Sequence, residues 1–152
     1  MPCIAGVFEP KVGLLLNVAI HKTDLLTTIN AKPRTEANLT LYTALVDTGA
    51  SCTCVSKRVI SEIGLVPHTK VTMVSASSNH DVNAYYFIVG IPIFLASSPM
   101  GSVSGKMHMF NEPVQGMELL NPTGRFDVLL GMDVIGRGSL KLDHDRHFSF
   151  CF

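Results

Sequence analysis

Asp47 is the side chain in this sequence whose setting most suggests chemistry. It stands in Leu41-Tyr42-Thr43-Ala44-Leu45-Val46-Asp47-Thr48-Gly49-Ala50-Ser51. An apolar run reads as a strand and delivers the carboxylate onto a tight turn. Gly49 permits backbone geometry that other residues resist and lets another group approach closely. Thr48 and Ser51 place hydroxyls beside the carboxylate. Taken alone, Asp-Thr-Gly is equally well explained as a strand ending in residues that favour turns. A second segment, Phe126-Asp127-Val128-Leu129-Leu130-Gly131-Met132-Asp133-Val134-Ile135, is a strongly apolar strand that leaves through a glycine into a short helix. Asp133 is the expected N-cap of that helix. Alone, this too is an ordinary buried strand.

Other reactive groups form weaker patterns. Cys52 follows Asp47 closely, but a cysteine nucleophile needs a basic partner, and none is evident nearby. His144 and His147 share a short stretch with Asp143 and Asp145. Their spacing matches no structural zinc pattern, and a polar hairpin turn accounts for them. The seven methionines read as packing rather than a cofactor site. No metal and no cofactor is expected.

Together the Asp47 and Gly131 segments resemble the retropepsin-like aspartic proteases, the family of retroviral and retrotransposon proteases and their bacterial and eukaryotic relatives. Ala44-Leu45-Val46-Asp47-Thr48-Gly49-Ala50-Ser51 matches that family's apolar–apolar–Asp-Thr/Ser-Gly-Ala/Ser motif. Val128-Leu129-Leu130-Gly131-Met132-Asp133 matches its downstream apolar–apolar–Gly motif, in the retrotransposon form that continues as Gly-Met-Asp. The resemblance covers about Leu39 to Leu142. It implies an all-β fold with one or two short helices, a retropepsin-like closed β-barrel forming the single lobe of an aspartic protease.

The resemblance also implies roles. Asp47 would be the catalytic aspartate, and Thr48 would interlock with its copy in another subunit. Gly49 would meet the substrate backbone, with Ala50 and Ser51 lining the cleft. Leu129, Leu130 and Gly131 would pass beside the Asp47 loop and support it. A hairpin flap would close over substrate, with Lys70–Val74 as its first strand, Ser75, Ala76, Ser77, Ser78, Asn79, His80 and Asp81 as its tip, and a return strand from Val82. Met132 stands where retroviral enzymes often place Arg.

Hydrolysis by this chemistry needs two carboxylates about 3 Å apart that share one proton. The sequence holds a single Asp-Thr-Gly and no Asp-Ser-Gly. The second carboxylate must therefore come from another copy across a two-fold axis. The expectation is a homodimeric aspartic endopeptidase acting on a peptide or protein substrate. The alternative is a non-catalytic dimerisation or peptide-binding module on the same fold, because fold does not fix function.

The elements that must position Asp47 are mostly strands. Short apolar runs broken by Gly, Pro, Asn and Ser place them at Val12–His21, Leu39–Val46, Lys70–Val74, Ala84–Leu95, Phe126–Leu130, Ser139–Leu142 and His147–Phe152. A helix capped by Ser56 and ended by Gly64 buries Val59, Ile60 and Ile63 on one face. Lys22–Asn38 reads as a loop. Ala96–Arg125 reads as a long insertion with one short strand near Lys106–Phe110. The last two strands form a hairpin, and the alternating Phe148, Phe150 and Phe152 either pack on the core or join a partner chain.

The chain has 152 residues, 47% of them hydrophobic and 16% charged, which suits one folded domain, 1–152, with a real core. Net charge is zero and no basic stretch is present, so nucleic acid is not an expected partner. No segment approaches ~18 consecutive apolar residues, so no membrane span is expected. No signal peptide is evident, which suggests a cytoplasmic location. The four cysteines read as reduced thiols in a chain that does not need staples.

Overall fold

The computed structural model describes residues 1–23, 35–36, 40–74, 78–97, 103–120 and 124–152. In chain order the elements are β1 (Cys3–Val7), β2 (Leu15–Lys22), β3 (Thr35–Glu36), β4 (Tyr42–Val46), β5 (Cys54–Val55), α1 (Lys57–Ile63), β6 (Thr69–Val74), β7 (Asn79–Ser97), β8 (Val103–Met109), β9 (Val114–Glu118), β10 (Val128–Leu130), α2 (Met132–Ile135), β11 (Ser139–Leu142) and β12 (His147–Cys151). The fold is all-β with two short helices, as the strand-rich sequence predicts.

Most strands belong to one sheet. The path β2-β4-β10-β5-β9-β7 returns to β2 through a second pairing of β7 with β2, so the sheet closes on itself. The length of β7 makes this closure possible. It pairs in turn with β6, β9, β2 and β8. Its register with β8 shifts between Pro92 and Phe94. Pro92 has no amide hydrogen to give a ladder, and a bulge is where a strand accommodates that. Alternation of side chains buries Leu16, Val18 and Ile20 from β2, with Ala44 from β4 and Val128 and Leu130 from β10.

Helix α1 forms for the local reasons visible in its sequence. The Ser56 hydroxyl accepts from Val59 N at 3.3 Å. Gly64 ends the helix in the left-handed region at φ 68°, where glycine carries no steric cost. Val59 is fully buried beneath it. Helix α2 departs from expectation. Its N-cap is Gly131, not Asp133, and no side chain caps it. The Asp133 carboxylate is engaged by Thr53 instead.

A second sheet, β1-β12-β11, carries both ends of the chain. The expected β11–β12 hairpin is present, closed by Asp143 N to His147 O at 2.9 Å. The aromatic face of β12 packs on the core. Phe148, Phe150 and Phe152 are all buried, and the Phe150 and Phe152 rings stand 5.0 Å apart. Strand β1, for which the sequence predicts no strand, pairs along the other side of β12.

That pairing sets Cys3 opposite Cys151, and the two form a disulfide across a separation of 148 positions. The expectation that all four cysteines are reduced is corrected here. Only Cys52 and Cys54 are free thiols. The residues are cross-strand neighbours, and that proximity arises only once the chain ends pair.

The Ala96–Arg125 segment is also corrected. Among its described residues stand two whole strands where one is expected, β8 beginning at Val103 and β9 added beside β5 and β7. Within the expected loop at Lys22–Asn38, Thr35 and Glu36 pair with β8. The rest of that loop after Thr23 lies outside the described residues.

Candidate active site

Strand β10 lies between the strand that enters the Asp47 loop and the strand that leaves it. It runs parallel to β4, with Val128, Leu129 and Leu130 opposite Ala44, Leu45 and Val46. On its other side it runs antiparallel to β5, with Leu129 opposite Cys54. The loop from Asp47 to Thr53 therefore begins and ends on either side of the second sequence segment.

Backbone bonds then fix the carboxylate. Asp47 N donates to the Leu130 carbonyl at 3.0 Å, and Ala50 N to the Asp47 carbonyl at 3.2 Å. Gly49 N donates to Asp47 Oδ1 at 2.8 Å, so the turn itself holds the side chain. Met132 N donates to the Ala50 carbonyl at 2.8 Å. Asp47 is half-buried, while Thr48 and Gly49 are exposed at the loop's outer surface. Leu130 is fully buried behind the loop.

Gly131 has a steric reason to be glycine. Its φ of −93° suits any residue. A Cβ there, however, would stand 2.5 Å from the Cys52 carbonyl carbon and 2.6 Å from its oxygen. The absent side chain lets the two segments touch backbone to backbone.

Thr53 links the two segments. Its hydroxyl donates to Asp133 Oδ1 at 2.7 Å and accepts from Gly131 N at 3.1 Å. Its amide donates to Asp133 Oδ2 at 2.9 Å. Thr53 has no exposed surface, and these bonds satisfy a polar group that would otherwise be costly to bury. A lone threonine between two cysteines carries no local signal for this role.

Beside the loop is a cleft of about 830 Å³. Gly49, Ala50 and Ser51 line it. Across from them stands the β6–β7 hairpin, which contributes Thr72, Met73, Val74, Ser78 and His80. Of the expected tip, Ser75, Ala76 and Ser77 lie outside the described residues. Ser78 faces the cleft, with its hydroxyl 2.7 Å from His80 Nε2. Asn79 does not line it, because side chains alternate between Ser78 and His80. Leu129 is both a support strand residue and part of the cleft wall, which Met117, Leu119 and Leu120 extend. These three fall in the segment read from sequence as an insertion.

Cys52 and Cys54 also line the cleft. The hydrogen bond from the Cys54 thiol pulls Cys52 down to about 7, with help from Ser51 and against burial and the Asp133 charge. The same thiol contact, and then burial, holds Cys54 far above the ordinary thiol range. Among the described residues, no group of three or more His, Cys, Asp or Glu side chains converges as a metal site. No helix among them is long and apolar enough to cross a membrane.

Residues 35–134 match the family described as aspartyl protease, a span that takes in both the Asp47 loop and the β10–α2 segment. The chain belongs to the aspartyl protease family. The fold of this protease is similar to that in a crystal structure of a retropepsin-like aspartic protease from Rickettsia conorii. That match has a TM-score of 0.59 at 15% identity and covers 97% of this chain and 89% of the other. Comparison with curated proteins gives no match.

Proposed function

We propose that this protease is an aspartic endopeptidase active as a homodimer, in which Asp47 of each 1–152 domain supplies one of two catalytic carboxylates. The observation that carries the reading is the placement of Asp47. Its amide is tied to Leu130, its carboxylate to Gly49, and the loop that holds it borders a cleft faced by a β-hairpin. One chain contributes a single Asp-Thr-Gly. The exposed Thr48 and Gly49 leave the loop open to meet its copy.

In the dimer the two carboxyl groups share one proton. The ionised one takes a proton from water, and the hydroxyl oxygen bonds to the scissile carbonyl carbon. The protonated one gives its proton to the carbonyl oxygen. Collapse of the tetrahedral species breaks the C–N bond as the nitrogen takes a proton. Gly49, Ala50, Ser51 and Ser78 supply polar backbone and side-chain groups to the peptide. Met73, Met117 and the leucines of the wall supply apolar surface, a mixture typical of ligand clefts. The Cys3–Cys151 bridge implies surroundings oxidising enough to keep it, so the cytoplasmic expectation is not carried into this reading.

The test is cleavage of a peptide library by wild type and Asp47→Asn, with dimerisation followed by sedimentation. Asp47→Asn is expected to remain folded and lose hydrolysis, because both carboxylates of the dimer vanish together. Wild-type specific activity is expected to fall on dilution as dimers dissociate. Near-wild-type hydrolysis by Asp47→Asn would overturn the catalytic assignment. Binding of peptides without turnover by the wild type would favour a non-catalytic module.

A further inference from the structure

Two free thiols stand in the cleft, and peptide hydrolysis uses neither. Cys54 is the buried member of the pair, 7% exposed, with its Sγ 3.9 Å from the Cys52 carbonyl. Cys52 is half-buried, and both line the same open space as Ser51 and Leu129.

The backbone that carries Cys52 is pinned on two sides. Gly131 abuts its carbonyl, and the next residue, Thr53, is bonded twice to Asp133. The backbone of this cleft-lining residue is therefore held in place. The Cys54 thiol lies against the Cys52 carbonyl oxygen, and its proximity lowers the Cys52 thiol towards the thiolate form that attacks disulfides. A thiolate in a cleft of about 830 Å³ has room for an adduct, since ligand sites commonly span roughly 300–1,000 Å³.

We propose that Cys52 is a covalent modification site at which a low-molecular-weight disulfide leaves a mixed disulfide that occupies the substrate cleft. This rests on the proposed reading of that cleft as the place where peptide binds. The Cys52 sulfur attacks one sulfur of the small disulfide. A Cys52–S–S–R bond forms as the reagent's own S–S bond breaks, and the departing thiolate takes the electron pair and then a proton from water. Cys52 is oxidised and the reagent is reduced. The conditions that keep Cys3 and Cys151 bridged also sustain small disulfides. Excess reduced small thiol reverses the step.

The experiment treats the intact protein with oxidised glutathione. Adducts are read by intact mass and peptide mapping, and hydrolysis is followed in parallel. One glutathionyl group per chain is expected on Cys52, and none on Cys52→Ser. Wild-type hydrolysis should fall in proportion to the adduct and return with reduced glutathione. The ratio of treated to untreated hydrolysis in Cys52→Ser should stay at one, whatever its own rate. In Cys54→Ala, loss of the thiol donor should slow adduct formation about threefold near neutral pH. The order should reverse in alkaline solution, where Cys52 is ionised in wild type and variant alike and the more basic thiolate is the better nucleophile. A purely structural role for Cys54 would not reverse it.

Full modification at Cys52 with unchanged hydrolysis would overturn the proposal. So would an adduct elsewhere, or oxidation without adduct, the signature of a Cys52–Cys54 bridge. Absence of hydrolysis before treatment would instead sink the protease reading, while mass mapping would still decide the site of modification.

Discussion

Asp133 accepts two hydrogen bonds from Thr53 across 80 positions of chain, one from the amide at 2.9 Å and one from the hydroxyl at 2.7 Å. The arrangement fastens the exit of the Asp47 loop to the start of α2. Since Thr53 also accepts from Gly131 N, one buried threonine ties both ends of the junction. Holding the Asp47 carboxylate within a narrow range of positions requires such support from behind it.

Asp133→Ala should therefore cost more than a surface carboxylate. It leaves the Thr53 amide and hydroxyl donors buried without this acceptor, which is worth about 3 kcal/mol in total. Asp133→Asn keeps one acceptor oxygen and should recover part of the loss. The midpoint of urea unfolding measures both, and hydrolysis should fall further than stability alone explains. A change under ~0.5 kcal/mol, the scale of neutral surface substitutions, would show that the junction does not depend on this carboxylate.

Gly131→Ala tests the backbone contact. Glycine is not needed there for its conformation, because φ is −93°. The cost is steric, with a methyl placed 2.5 Å from the Cys52 carbonyl carbon. A backbone cannot move aside as the end of a side chain can, so destabilisation of about 3 kcal/mol is expected, at the upper end for overpacking. Hydrogen exchange at Asp47 and Met132 should quicken as their bonds loosen. Wild-type stability and exchange in this variant would refute the close approach.

Tyr42 gives a pH signature. Its hydroxyl donates to Glu62 Oε2 at 2.9 Å, and burial first, then that bond, pushes it up to about 12. In the unfolded chain a tyrosine ionises near pH 10. The folded state holds the proton more tightly, so this contribution is present in full below about pH 10 and is lost as pH rises towards 12. Tyr42→Phe should lower stability by about 1 kcal/mol at neutral pH. Its stability should fall less steeply than that of the wild type between pH 10 and 12. Parallel curves in chemical unfolding would contradict the assignment.

The disulfide can be tested apart from the cleft. Cys151→Ser removes a bridge that closes nearly the whole chain. Chain-entropy arguments place the loss at up to about 5 kcal/mol, with about 2–4 more usual. The packed faces of Phe148 and Phe150 should keep the terminal sheet attached. Unfolding of the wild type under non-reducing and reducing conditions should differ by a similar amount. No difference would mean that Cys3 and Cys151 are not bridged in solution.

Local features could be read directly from residue order. Ser56 and Gly64 mark the ends of α1 because capping depends on neighbours a few positions away. The alternation in β12 and the polar turn before it mark the last hairpin for the same reason. Asp47 could be singled out because an apolar strand, a carboxylate and a glycine turn are contiguous, and because the Val128–Gly131 segment follows downstream. Strand β5 spans only Cys54 and Val55, too short for any periodicity, and becomes a strand because β9 and β10 flank it. The same holds for Met117 in the cleft wall, which lies in a segment that looks like a loop until β9 pairs. Asp133 has the chemistry of a helix cap, yet the buried Thr53 competes for it and wins. Cys3 and Cys151 are ordinary cysteines in sequence and become partners only when β1 and β12 align. Each of these outcomes depends on contacts between residues far apart in the chain, and such contacts form only when closure of the sheet and burial of the core bring them together.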